Sequence, residues 1–304
     1  MPISLTSHLR DSESPIRRFM HKHFPNTAPI ARDLHAKLAG VKTIRPAKKV
    51  PYTLLGTAID YRLRYYFAVT SFSEFDAYLG AMLMQHNVTA LVGWPGVSKG
   101  LMGEFFRSLE RLLKRLRPVG RRLRRPQEEV LNRCCVVLAL FDEAFHSSSW
   151  FIGSPIVSPK PKMTVDGLMA IAKPHWIDDL CSLSWAFYER FGDMLSYPTV
   201  PNPMFGGELY GVEARPDLIV DRCLIDIKTT IHPKLKRFWL YQLLGYVLLD
   251  YTDRYRIRSI GIYLTRQAVL IQWPLDILMR TLGGDSCPRL RELRKRFRRT
   301  GMGR

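Results

Sequence analysis

Acidic residues are scarce in this chain: 27 Asp and Glu stand against 46 Lys and Arg in 304 residues, a formal charge of +19. Such an imbalance points to a polyanionic partner, and nucleic acid is the commonest polyanion available. Long apolar runs are also missing. No stretch approaches the roughly 18 to 20 residues that cross a bilayer, and the opening "MPISLTSHLRDSESP" lacks the apolar centre of a secretion signal. The expectation is a soluble, cytoplasmic protein with no membrane partner. Cysteine is sparse and poorly spaced for cross-linking: Cys134 and Cys135 are adjacent, Cys181, Cys223 and Cys287 are scattered, and no CxxC pair occurs. That excludes a disulfide framework or a zinc clip and leaves buried thiols.

What is present is apolar material, 46% of the chain, enough for a substantial core. The segment "SPIRRFMHKHFPNT" opens with a Ser-Pro helix signal and closes on a proline break, which predicts a short basic helix. Its His21 and His23 have no third ligand nearby and read as surface residues. After the connector "TIRPAKKVPYT", the run "LLGTAIDYRLRYYFAV" predicts a helix entered through Gly56 and Thr57, with Asp60 in its first turn. From Ser73 to about Leu195 the apolar spacing is helical throughout, interrupted by the cationic turn "KRLRPVGRRLRRP", which is either a solvated loop or a phosphate contact.

Past the Pro/Gly-rich "YPTVPNPMFGG" the pattern changes. "PDLIV" and "LIDIKTT" read as two strands turning at "DRC", "PKLKRFWLYQLLGYVLLDYT" as a helix, and "IRSIGIYLT" with "AVLIQWPL" as a hairpin turning at Arg266 and Gln267. The expected division is residues 1–55 as a basic helix and connector, 56–72 as a first core helix, 73–200 as a helical insertion, 201–278 as an α/β core, and 279–304 as a basic tail. In that tail Leu290, Leu293 and Phe297 fall at helical spacing, so one face packs while the arginines stay available for phosphate.

The chemistry concentrates in "RPDLIVDRCLIDIKTT". Because strand side chains alternate, Leu224, Asp226 and Lys228 share one face and Ile225 and Ile227 the other. Asp217 and Asp226, on adjacent strands, offer hard oxygen ligands suited to Mg²⁺ or Mn²⁺. Lys228 beside them can orient a metal-bound water and offset charge developing on phosphorus, the requirement for phosphodiester hydrolysis. An ordinary strand-edge ion pair is the plain alternative. Gln242 and Tyr246, four apart on the following helix, place a polar face next to the strands, as a substrate groove requires.

"RPDLIV", "LIDIKTT", the Q-x-x-x-Y of "QLLGY" and the upstream "GTAID" together resemble the PD-(D/E)XK nuclease superfamily, in particular its RecB-like exonuclease branch. The match is confined mainly to Gly206 through Pro274. The resemblance implies a restriction-endonuclease-like mixed sheet flanked by helices, here with a large helical insertion, and a metal-dependent, exonuclease-like deoxyribonuclease leaving a 5′-phosphate. It implies metal ligation by Asp217, Asp226 and the Ile227 carbonyl, Lys228 as the catalytic lysine, and Gln242 with Tyr246 as positioning groups. Asp60 stands where the family has a histidine, and Glu143 and Glu213 compete for that place. Cluster-bearing members of the branch use three downstream cysteines, whereas only Cys287 lies downstream here, so no iron–sulfur cluster is expected. DNA is the expected partner, RNA an open alternative, and no protein partner is named. A basic scaffold that binds nucleic acid without cutting it is the competing reading.

Overall fold

The computed structural model describes residues 3–69, 76–90, 100–146, 163–207, 211–284 and 287–301. It divides into two compact units, one made of residues 1–43 and 197–304, the other of residues 44–196. In chain order the first unit opens with β1 (Ile3–Ser4), α1 (Leu5–Arg10), α2 (Pro15–His23) and α3 (Ala28–Leu38). The second holds α4 (Tyr52–Phe67), α5 (Asp76–Ala90), α6 (Leu101–Leu116), α7 (Arg125–His146), α8 (Val165–Ala170) and α9 (Pro174–Phe191). The chain then returns to the first unit through β2 (Thr199–Pro201), β3 (Phe205–Gly207), β4 (Val212–Ala214), β5 (Leu218–Val220) and β6 (Cys223–Lys228). It finishes with α10 (Arg237–Leu249), β7 (Ser259–Leu264), β8 (Val269–Pro274), α11 (Leu275–Gly283) and α12 (Leu290–Gly301). The whole is a mixed α/β protein, and no helix among the described residues is long and apolar enough to cross a membrane.

The helical unit is arranged around α7, which is buried on every side from Cys134 to Phe141 because α4, α5, α6, α8 and α9 all pack on it. The approach of α5 depends on Gly80, where an added Cβ would lie 1.8 Å from the Phe141 carbonyl oxygen. Helix α4 starts at Tyr52, directly after Pro51 and one turn before the expected entry, so Asp60 sits at mid-helix rather than in the first turn. This helix also packs on α7 and α9. The segment expected to open the α/β core therefore belongs to the helical unit, because Leu55, Ala58, Ile59, Tyr61, Arg62, Leu63, Tyr65 and Tyr66 together bury most of its circumference there.

The α/β unit is built on a five-stranded sheet of order β2-β5-β6-β7-β8. β2, β5 and β6 run antiparallel, β6 and β7 parallel, and β7 and β8 antiparallel. A parallel step needs a crossover, and α10 provides it. The β5–β6 hairpin turns on Asp221 and Arg222, both at positive φ (43° and 64°), the two-residue geometry whose twist matches the flanking strands. Leu224, Ile260, Ile262 and Leu264 from the sheet, Leu240, Leu243 and Leu244 from α10, and Leu5, Met20 and Phe297 from the terminal helices share one core. Helix α10 is buried on nearly all sides, with β6 against it and α1 and α12 packed on it as well.

One feature lay outside the sequence reading. The N-terminus pairs Ile3 with Val212 in a small sheet of order β1-β4-β3, which brings α1 onto α10. The C-terminal run forms the helix that its apolar spacing predicts, Leu290–Gly301, packed through buried Leu293 and Phe297. Arg294 is buried too, and bonds the Val247 carbonyl at 3.1 Å and Asp253 at 2.8 Å. Of the cysteines, four are buried and Cys287 is half-buried.

Candidate active site

The ladder between β5 and β6 decides where the acidic pair meets. Leu218 faces Ile225, Ile219 faces Leu224 and Val220 faces Cys223. One step further in the same register, Asp217 stands across from Asp226. Asp217 has left the ladder at the strand entrance, and its Oδ2 accepts the backbone N–H of Ile227 at 2.6 Å. Asp226 lies inside β6, only 2% exposed, on the face that Leu224 presents to α10. Lys228, two residues on, returns to that face, and its Nζ lies 2.5 Å from Asp226 Oδ2.

Helix α10 completes the group. Gln242 Oε1 accepts from Lys228 Nζ at 3.2 Å, and the Trp239 ring centroid lies 5.9 Å from the same amine. Gln242 is itself held from behind, its Nε2 donating to Thr6 Oγ1 of α1 at 3.4 Å. Tyr246, one turn along α10, is buried in the core. Tyr241, in the aromatic run beside the site, donates its hydroxyl to the Phe24 carbonyl at 3.2 Å and serves the core.

The electrostatics of Asp226 are unusual for a carboxylate. Burial pushes its pKa up to about 6, the Lys228 ammonium pulls against that, and the neighbouring Asp217 carboxylate pushes it higher. Its Oδ2 is buried, and the Lys228 ammonium at 2.5 Å is its ion-pair partner. A buried and a half-buried carboxylate facing each other, the buried one with a single cationic partner, form a donor set that fits a hard divalent cation. Asp217 and Asp226 would hold it.

The other predicted residues belong to other elements. Asp60 belongs to α4 of the helical unit, where Arg64 pairs with both its oxygens, the Nε–Oδ1 bond measuring 3.2 Å. Glu143 is exposed on α7 of that unit. Glu213 lies on β4, opposite Gly206 of β3 and Ser4 of β1 in the small sheet. His21 is half-buried, with its ring edge-on to Tyr241, and His23 packs on Phe19 at 4.3 Å.

Sequence reasoning missed Thr6 and Trp239 as neighbours of the site. Trp239 had a signal, since it precedes Gln242 by three residues on the same helix; Thr6 had none. A second grouping, also missed, joins α5 to α7: His146 Nε2 lies 3.0 Å from Asp76 and 3.7 Å from Asp142, which also accepts from Tyr61 at 2.7 Å. The i, i+4 spacing of Asp142 and His146 was its only trace in the sequence. Comparison with protein-family models, with curated proteins and with solved structures found no match to the chain.

Proposed function

We propose that this protein is a divalent-metal-dependent nuclease that hydrolyses DNA phosphodiester bonds, exonuclease-like in action, on a core of the restriction-endonuclease type, and that it works in the cytoplasm. The observation that carries the reading is the convergence of Asp217, Asp226, Lys228 and Gln242 at one end of the β5–β6 hairpin, with 2.5 Å between the Lys228 amine and the Asp226 carboxylate. The strand order supports it as well: an antiparallel hairpin, a helical crossover and a parallel strand put the acidic pair and the crossover helix on the same side of the sheet.

Bound by Asp217, Asp226 and the Ile227 carbonyl, Mg²⁺ or Mn²⁺ would supply Lewis-acid polarisation of the phosphate and a water of lowered pKa. The chain's own residues do the rest. The Ile227 N–H fixes the Asp217 carboxylate at the strand entrance. Gln242 accepts from Lys228 and so limits where its amine can point. From that position Lys228 donates toward the attacking oxygen or the charge developing on phosphorus, in a pocket dry enough to strengthen the interaction. Hydrolysis in this sense leaves a 5′-phosphate, and the excess of cations on the surface draws in the substrate.

The test is incubation of purified protein with linear, circular and single-stranded DNA in Mg²⁺ and in Mn²⁺. Degradation of linear substrate that stops in EDTA and in Asp226→Ala or Lys228→Ala supports the reading, and sparing of circles marks attack from ends. Cleavage that persists undiminished in both variants removes the assignment. Binding without cleavage in any metal favours the non-cutting scaffold instead.

A further inference from the structure

A cleft of about 750 Å³ opens in the α/β unit between the α10–β7 connection, at Tyr251 to Asp253, and one face of α12. Its α12 wall carries Arg291, Lys295 and Arg298, spaced i, i+4 and i+7 and therefore aligned in a stripe along the helix, with Arg289 just before its start. All four cations are exposed. The two carboxylates that line the cleft are engaged with other cations: Asp253 with Arg294 at 2.8 Å and Glu292 with Arg296 at 2.9 Å. Arg294 in turn is buried and anchored between Val247 and Asp253, so α12 is fastened to the end of α10 and the stripe is presented on a rigid wall. Arg298 lies 6.0 Å from the Tyr251 ring, which forms part of the facing wall.

A wall carrying one sign of charge, opposite an aromatic side chain, concentrates field on an anion entering the groove. From Arg291 to Arg298 the stripe runs on the order of 10 Å at 1.5 Å rise per residue. That is about three phosphates of one strand at 3.4 Å of duplex axis each. Point binding of a single phosphate would not require cations spread over two turns. The cleft also sits at the C-terminal end of α10, while Gln242 lies about two turns earlier on the same helix.

We propose that this cleft is a second nucleic-acid site, which holds the sugar–phosphate backbone of one strand through Arg291, Lys295 and Arg298, away from the acidic pair. The inference rests on nucleic acid being the substrate but not on cleavage, and the two can fail separately.

The test is fluorescence anisotropy of the full chain with labelled single-stranded and duplex oligonucleotides in EDTA, where hydrolysis is silent, across a salt series. Combined Arg291→Ala, Lys295→Ala and Arg298→Ala is expected to raise Kd about tenfold or more at low salt, and to lower the slope of log K against log salt by about 2 to 3. A charge-matched control, Arg18→Ala with Lys22→Ala and Arg299→Ala, removes exposed cations that do not line the cleft. An equal loss in the control means only net charge matters and overturns the site, as does unchanged binding in the cleft variant. Retained nucleic-acid binding in the cleft variant, with loss of binding to phosphatidylserine vesicles, would reassign the stripe to an anionic membrane and also overturns it. Lys295→Glu alone, at an exposed position, repeats the test should the triple variant fold poorly. Cleavage by the wild type in Mg²⁺, scored separately, distinguishes the two readings: no cutting with the cleft effect intact fails only the proposed function, and cutting without the cleft effect fails only this site.

Discussion

Each unit of this protein buries a carboxylate against a cation, and the two pairs are built to different standards. In the helical unit Glu128 and Arg62 are both fully buried and joined by two bonds of 2.7 and 2.9 Å. Ser184 donates to the same carboxylate at 2.5 Å, and the guanidinium lies 3.8 Å over the Tyr66 ring. Burial works most strongly against the Arg62 charge, yet Glu128 and the groups around it together outweigh it, and the guanidinium pKa is raised. In the α/β unit Asp226 has one lysine at ion-pair distance as its partner and a like charge beside it. A buried carboxylate with both oxygens bonded is a finished structural element. One left short of donors is in a state that a ligand can improve.

The largest expected effect is on activity. Asp226→Ala and Lys228→Ala should reduce metal-dependent cleavage to background, a loss of at least about 10²–10⁴-fold for a group acting in proton transfer or charge stabilisation. Glu128→Gln, in an equally buried carboxylate, should leave the rate per folded molecule unchanged. Rates normalised to the folded fraction by circular dichroism check this, and equal losses in both pairs would erase the distinction.

Stability should move the other way. Removing one member of a buried pair leaves the other charge uncompensated, at a cost of about 3–5 kcal/mol. Glu128→Ala is therefore expected to lower the denaturation midpoint severely, and Glu128→Gln less so. Asp226→Asn, in EDTA at pH 8, should instead raise it, because the wild type must hold a charge there that its surroundings disfavour.

The pH dependence sharpens the point. The folded pKa of Asp226, about 6, lies above the ordinary 3.8, so the folded state binds the proton more tightly. The stability this group contributes is fully present below 3.8 and is lost as pH rises through about 6. In EDTA the advantage of Asp226→Asn over wild type should accordingly shrink as pH falls from 8 to 4. Mn²⁺ should raise the wild-type Tm at pH 8 and raise it less at pH 5, where the proton competes for the same oxygens. Asp226→Asn should show a much smaller response, and an identical metal shift in both proteins would place the ion elsewhere.

How much of this could be read in advance depended on whether the signal was local. Asp217, Asp226 and Lys228 were legible because period-two alternation and a short turn fix their faces and their register without help from the rest of the chain. Gln242 was legible from its helix. At Asp60 the motif match anticipated a helix of the α/β core, whereas its neighbours Ile59, Tyr61 and Arg62 pack against α7 and α9 of the helical unit. Arg62 reads as one more surface cation in so basic a chain. Only Glu128, 66 residues away, explains its burial. Thr6 was invisible for the same reason: its place beside Gln242 follows from β1 pairing with β4, a contact between segments distant in sequence that no periodicity encodes.

That long-range contact gives the smallest and most specific expectation. Thr6 touches neither the acidic pair nor the lysine directly; its hydroxyl holds the Gln242 amide, whose oxygen holds Lys228. Losing a single 3.4 Å hydrogen bond of this kind costs about 0.5–1.5 kcal/mol. Thr6→Val keeps the shape and removes the acceptor, so it should lower kcat severalfold with little change in KM or Tm, while Thr6→Ser should restore the rate. Gln242→Ala removes the next link and should cost more, and Thr6→Val added to Gln242→Ala should then cost nothing further. Additive losses would mean that Thr6 acts by packing alone, and that the lysine in the α/β unit is as self-sufficient as the arginine in the helical one.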